Sequence, residues 1–156
     1  MNIFVLDNNS ELAAKYHTDR HVIKMILESA QMMCTAVSII NNIETPYKPT
    51  HKNHPCNIWL RESLANFLWL GNLAYHLNQE YRYRFDHNYN HKSFDVLMTL
   101  PYPEIPNFGQ TPFAQAMPEK YKDDDAVKAY RKYYMNDKKY LFNWTKREMP
   151  YWIFDF

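Results

Sequence analysis

Glycine is almost missing: two residues in a chain of 156. That removes the Gly-rich loops that cradle phosphates and argues against a fold made of many tight hairpins. Cysteine is equally scarce. Cys34 and Cys56 form no CxxC, so neither a disulfide framework nor a zinc-knuckle spacing follows, and both are expected as reduced thiols. Charge of one sign is lacking too. The formal net charge of +1 argues against a protein built to grip long duplex nucleic acid, although it leaves room for a local basic pocket. No run of ~18 apolar residues stands out as a membrane span. The start, "MNIFVLDNNS", has neither the basic region nor the long apolar stretch of a signal peptide. The expectation is a cytoplasmic protein with no membrane partner.

Aromatic residues are what the chain does have: 13 Tyr, 9 Phe and 4 Trp, within a composition that is 46% hydrophobic. Such a sequence folds rather than staying disordered, and its length suits one domain over residues 1–156. The rings can fill a core, and they can also stack on bases.

The pattern along the chain is helical. "NIFVL" reads as a short strand or an extended arm. Asn8 followed by Glu11 fits a capping box, and the helical pattern then runs to about Ile40 with a break near Thr18. "NNIETPYKPTHKNHP" is a loop whose Pro55 opens the next helix. A second long pattern runs from about Asn57 to Phe85 and would span roughly 40 Å. Ser93 is placed to cap a short helix, and "PYPEIPNFGQTPFAQAMP" is an irregular proline-rich segment. A last helix is expected from about Asp124 to Arg147, acidic at its start and basic at its end as the macrodipole favours. The apolar tail "YWIFDF" should dock. The expected architecture is all-α: a compact single-domain helical bundle with two long central helices and a C-terminal helix.

Helical wheels locate the candidate site. On the first long helix Val22, Met25, Ile26, Met33, Ala36, Val37 and Ile40 make one apolar face. Ile23, Leu27, Ala30, Met32 and Cys34 extend it around the sides, and Cys34 is assigned to the core. His17, His21, Lys24, Glu28, Gln31 and Thr35 are left in a stripe of only ~80°. So narrow a stripe on so apolar a helix is either an ion-paired ridge, with Lys24 and Glu28 at i,i+4, or the wall of a cleft. On the second helix Leu60, Leu64, Phe67, Leu70, Ala74, Tyr81 and Phe85 make the core face, with Gly71 allowing close approach. Arg61, Glu62, Asn66, Trp69, Asn72, His76, Gln79, Glu80, Tyr83 and Arg84 lie opposite. Trp69 among polar neighbours suits base stacking or core burial.

The loop before the second helix carries His51, Lys52, Asn53 and His54, followed by Arg61. Lys52 and Arg61 beside a helix N-terminus would hold a phosphate, while His54 before Pro55 also suits a cap. His17 and His21 have the spacing of metal ligands but lack the companion glutamate of HExxH. No metal and no cofactor is expected.

"DRHVIKMILESAQ", "KNHPCNIWLRES" and "EYRYR" resemble a group of uncharacterised phage proteins. "TPFAQAMPEKYK" and "AYRKYY" extend the likeness over most of the chain. More distantly, the basic helix ending in Glu-x-x-Gln, the Asn-His-Pro with its tryptophan and the Glu-aromatic-Arg stretch are similar to pyrimidine-dimer DNA glycosylases of the endonuclease V type. That resemblance implies an N-terminal amine attacking a sugar, assisted by a glutamate. Here position 2 is Asn2, before which the initiator methionine is normally retained. An ungapped match puts Ile23 at the glutamate's place, and Glu28 is the carboxylate that a shift of register supplies.

Three functions follow as expectations. The first is a glycosylase or AP-lyase-like enzyme acting on damaged or modified bases. In it Lys24 or the N-terminal amine is the nucleophile, Glu28 and His21 manage protons, and His17, Lys52, His54, Arg61, Trp69, His76 and Arg84 hold the ligand. The second is a protein that sequesters a nucleotide or cyclic-nucleotide-type immune signal without turnover, in the host cytoplasm if phage-encoded. The third is a helical interaction protein whose stripes are solvated or form a homo-oligomer interface.

Overall fold

The computed structural model describes residues 1–154 and is all helical over that range. Six α-helices follow in order: α1 Ser10–Tyr16, α2 Asp19–Asn41, α3 Pro55–Leu60, α4 Leu64–Arg84, α5 Lys92–Met98 and α6 Ala126–Asp137. Short 3₁₀ turns cover Glu119–Tyr121, Lys139–Leu141 and Tyr151–Phe154. The two long helices, α2 and α4, pack against each other, with α1 against α4 and α5 against α2. "NIFVL" is an extended arm, and Ile3, Phe4, Val5 and Leu6 are all buried in the core.

The break near Thr18 falls where expected. Thr18 is extended and caps α2, with its hydroxyl accepting from the His21 N–H at 3.4 Å. The cap of α1 lies one residue past the expected position: Asn9, not Asn8, accepts from the Leu12 N–H at 3.1 Å. α5 is likewise capped by His91 rather than Ser93, through an imidazole nitrogen that accepts the Ser93 N–H at 3.0 Å. Trp152 docks as the tail's pattern suggests, at 1% exposure; Asp155 and Phe156 lie outside the described residues.

Two long helices expected from the pattern are interrupted. The Asn57–Phe85 pattern divides at Arg61–Ser63 into α3 and α4, because side chains capture the groups a continuous helix would use. Asn66 Nδ2 donates to the Trp59 carbonyl at 2.8 Å. The proline-rich segment supplies the rest: the Pro106 carbonyl accepts the Leu64 N–H, and the Ser63 hydroxyl accepts the Phe108 N–H. The last helix stops at Asp137 instead of Arg147. The chain then turns back so that Trp144 Nε1 donates to the Tyr16 carbonyl at 2.9 Å and Thr145 donates to Asp19.

Burial also revises the second wheel. Asn66, Trp69, Glu80 and Arg84, placed on the open face by pattern, are buried, as are Leu73 and Leu77. α4 is enclosed on more sides than a one-faced helix, and each buried polar group on it finds a specific partner. Gly71 faces Met33 of α2, where an added Cβ would sit 3.5 Å from the methionine methyl. On α2 the apolar flank is less enclosed than expected: Ile23 and Leu27 are about 40% exposed. By length and composition α2 is also apolar enough to cross a membrane, which a search for unbroken apolar runs misses. Most of that stretch is buried inside the fold.

Candidate functional site

Glu28 gathers the start of the chain. Its side chain is about 90% buried on α2. Oε1 accepts the Asn2 N–H at 2.9 Å and lies 3.3 Å from the Met1 amine. Lys24, one turn earlier and 68% exposed, places Nζ 3.9 Å from Oε2. A carboxylate this buried needs charged or N–H partners, and it has three. The Met1 side chain is 5% exposed although the residue as a whole is only half-buried, so the accessible part of Met1 is its main chain.

Asn2 fixes that geometry. Its Nδ2 donates to the Ala116 carbonyl at 2.9 Å, and its Oδ1 accepts the Ile3 N–H at 2.7 Å. The Cys56 thiol also points at Oδ1, at 3.5 Å. Tyr130 OH lies 3.4 Å away, but its single proton goes to the Ala114 carbonyl at 2.6 Å. The Met1 sulfur accepts from Asn57 Nδ2 at 3.6 Å, and the same amide donates to His51 and Thr50 carbonyls. Burial pushes the Cys56 thiol up to about 11, so it stays protonated and is no nucleophile near neutrality.

His54 caps α3, its Nδ1 accepting the Cys56 N–H at 3.1 Å. Burial lowers its pKa first, and the Met1 amine and His51 lower it further against an opposing pull from Glu28. It therefore stands within electrostatic reach of the amine–carboxylate pair while doing a structural job. Of the expected site residues, the structure brings together Lys24, Glu28 and the N-terminal amine, while His54 serves as a helix cap.

The remaining candidates lie elsewhere. His17 is fully buried, its Nδ1–H donating to the Ala13 carbonyl at 2.6 Å, and burial pushes it down to about 4. Arg84, expected to hold a ligand, is enclosed instead. It donates to Glu80, to Asp19 and to the His17 and Lys15 carbonyls, so its fork is already filled by the protein. Trp69 is in the core, with its Nε1 on the Asn8 carbonyl at 3.1 Å and its ring packed on Trp59 and Phe113. Arg61 turns inward and donates to the Lys52 carbonyl at 2.7 Å, while the Lys52 side chain is exposed. α3 has only six residues. His76 borders a separate polar hollow with Glu11, Lys15 and Arg147.

His21 sits at a different opening. It is 4% exposed, stacks on Phe4 at 4.5 Å and pairs through Nδ1 with Tyr134 OH at 2.8 Å. Burial pushes it down to about 3, with His17, Lys138 and Lys24 adding to the effect. It borders a cleft of about 430 Å³ between α2 and the end of α6, formed with Arg20, Ile23, Lys24, Lys138, Tyr140 and Leu141. Periodicity could pair Arg20 with Lys24, but nothing in the sequence places Lys138 and Tyr140 beside them. Nor does any pattern along α2 show that Glu28 faces Met1. The signal there is indirect: a glutamate on a mostly buried helix must find a donor, and the polar start of an otherwise apolar arm is a candidate.

Among the described residues no three His, Cys, Asp or Glu side chains converge as a metal site. No family model, curated protein or solved structure matches the chain. The reading of function therefore rests on the site's own chemistry.

Proposed function

We propose that the protein is an amine-dependent enzyme of the DNA glycosylase or AP-lyase kind, with the Met1 amine as nucleophile and Glu28 as its proton acceptor. The observation that carries this reading is the Met1 amine held 3.3 Å from a nearly buried carboxylate, with main-chain atoms of Met1 accessible. As a class, α-amines lose their proton closer to neutrality than lysine side chains do, which makes them usable nucleophiles. On a sugar bearing a free aldehyde, the amine nitrogen bonds to C1′, a C=N bond forms and water leaves. A damaged base is displaced when the same nitrogen attacks C1′ and the base departs with the glycosidic electron pair. In both cases the amine gives up protons, and Glu28 is placed to take the first. Lys24, mostly in solvent, fits the role of a cation near the carboxylate better than that of the attacking group.

The reading requires a chain that starts at Met1 with a free amine, which intact mass establishes. Sodium borohydride with an abasic oligonucleotide then tests it. Reduction of the C=N bond should leave a covalent complex whose DNA maps to Met1 by peptide mass, and Glu28→Gln should reduce its yield at least tenfold. No crosslink on abasic, uracil-containing or UV-irradiated DNA refutes it. A crosslink mapping to Lys24 would assign the chemistry to the other amine. Binding of a nucleotide without turnover is the second reading, favoured by the small basic cleft beside Lys24 on a nearly neutral protein. It predicts heat on titration with a nucleotide and no crosslink.

A further inference from the structure

The cleft between α2 and α6 differs from the rest of the surface. The chain as a whole carries +1, yet Arg20, Lys24 and Lys138 meet here with no carboxylate among the bordering residues. Arg20 is exposed and has no hydrogen bond or ion pair among the described residues. Lys138 lies over the Phe4 and Tyr133 rings, 5.9 and 5.2 Å from their centroids, which fixes its stem beside the opening. Arg20 and Lys24 are one turn apart on one helix face and border the same opening, with Lys24 Nζ leaning toward Glu28. Tyr140 is 76% exposed at the rim, with no aromatic ring or cation stacked on it among the described residues.

The buried side of the cleft adds a donor. Tyr134 OH accepts the Thr18 N–H at 3.0 Å, which leaves its own proton to give. Thr18 Oγ1 at 3.4 Å and His21 Nδ1 at 2.8 Å are both in reach, and donation to His21 Nδ1 is the arrangement this site requires. His21 then accepts at Nδ1 and carries its proton on Nε2. Nε2 has no partner among the described residues, on a side chain that is 4% exposed and borders the cleft.

We propose that this cleft is a phosphate site for a nucleotide, with Arg20, Lys24, Lys138 and His21 Nε2–H as donors to the phosphate and Tyr140 stacking on the adjoining base. The proposal rests on the preceding reading for a nucleic-acid substrate and deepens it by placing one phosphate. Lys24 links the two sites: it borders the cleft and reaches Glu28, one turn or ~6 Å further along α2. A cleft of this size admits a single unpaired nucleotide rather than a duplex, consistent with the low net charge.

Fluorescence anisotropy with a labelled eight-nucleotide single-stranded DNA tests the site, and competition by thymidine 5′-monophosphate separates a strand phosphate from a free nucleotide as its source. R20Q/K138Q should weaken oligonucleotide binding at least tenfold at low salt. It should also lower the magnitude of the slope of log affinity against log salt by about 1.4, two contacts at ~0.7 each. Y140A should weaken binding about tenfold with no change of slope, the signature of lost stacking. The exposed lysines of a K48Q/K92Q control remove the same charge away from the cleft and should change little. Arg20 is exposed, so R20Q alone carries the test should Lys138 prove necessary for stability. Equal affinities for the cleft and control variants overturn the proposal, as does failure of both probes to bind at millimolar concentration. The two readings separate cleanly. Cleft-dependent binding without a borohydride crosslink removes the chemistry and leaves the site. A crosslink that R20Q/K138Q does not affect removes the site and leaves the chemistry.

Discussion

Lowering the pH from 7.5 to 5 should remove about 4 kcal/mol of folding stability through His17 and His21, and His54 and His91, also lowered by burial, add to the loss in the same direction. His17 and His21 are buried neutral and are held down to about 4 and about 3, while in the unfolded chain each titrates near ~6.5. Because the folded values lie below the unfolded one, the unfolded chain takes up protons first as pH falls. The stabilisation is therefore fully present above ~6.5 and drains away as pH falls through the interval down to about 4 for His17 and about 3 for His21. Integrated from pH 7.5 to 5, each histidine accounts for ~2 kcal/mol. Against a typical total of ~5–15 kcal/mol the sum of ~4 is a large share. Burial alone would raise the Glu80 carboxyl, but Arg147 and Arg84 overcome it and hold it below its ordinary value, so its loss comes at lower pH. Urea unfolding followed by tryptophan fluorescence at pH 7.5, 6.5, 5.5 and 5.0 measures the effect. The slope below pH 6 should correspond to nearly two protons per molecule from His17 and His21, with His54 and His91 adding to it. His21→Gln, which keeps an acceptor for the Tyr134 hydroxyl, should reduce the loss by ~2 kcal/mol. A stability flat to within about 0.5 kcal/mol over this range, or a slope unchanged by His21→Gln, would refute the placement of these rings as buried neutral bases.

Arg84→Met should destabilise by about 3–5 kcal/mol, because Glu80 and Asp19 lose a buried cation and two carbonyls lose their donor. Arg84→Lys should recover little, since one ammonium cannot span the same acceptors; thermal unfolding measures both. Trp69→Ala should cost about 3–5 kcal/mol in chemical denaturation while leaving nucleotide affinity unchanged, which separates core burial from base stacking. Glu28→Ala should lower stability by about 1–3 kcal/mol through the stranded Met1 amine and Asn2 N–H, with Glu28→Gln costing less because an acceptor remains. Neither thiol should react with a disulfide reagent at pH 8 until the protein unfolds, as both cysteines are buried and burial raises both thiols.

Periodicity made α2 legible, because its apolar positions repeat around a helix with one narrow gap and the break at Thr18 has a capping residue. The division of the second helix was not legible. Asn66 reads as an ordinary exposed position until its amide is seen on the Trp59 carbonyl, a contact made across the turn. The early end of α6 has the same origin: Trp144 and Thr145 bond to Tyr16 and Asp19, more than 120 residues away in the chain. For the site, Glu28 and Lys24 could be named from i,i+4 spacing, but the partner that defines their chemistry, Met1, lies on no shared helix face. Arg84 shows the opposite failure. An arginine near aromatic and acidic residues reads as a ligand group, and only the fold reveals four internal acceptors already in place.

The polar seam on α2 is not one feature but two. A carboxylate or an imidazole on a buried face calls for partners: Glu28 and His21 find theirs elsewhere in the chain, whereas His17 is met only at Nδ1 and keeps a buried Nε2 with no partner among the described residues. At the N-terminal end Tyr134 meets His21, and the Ala13 carbonyl of the preceding turn meets His17. There both rings are kept neutral, which fits them to hold the α1–α2 corner against α6 rather than to trade protons near neutrality. At Glu28 the partners are an amine and an amide at the start of the chain, with Lys24 in solvent beside them. Only this second set combines a charge, a potential nucleophile and accessible main chain. The two sets adjoin at one place, where His21 and Lys24 border the same basic cleft. An anion bound there would draw on the structural end of the seam through His21 Nε2–H and on the reactive end through Lys24. Occupancy of the cleft should then loosen the Lys24–Glu28 pairing and leave Glu28 freer to accept a proton from Met1.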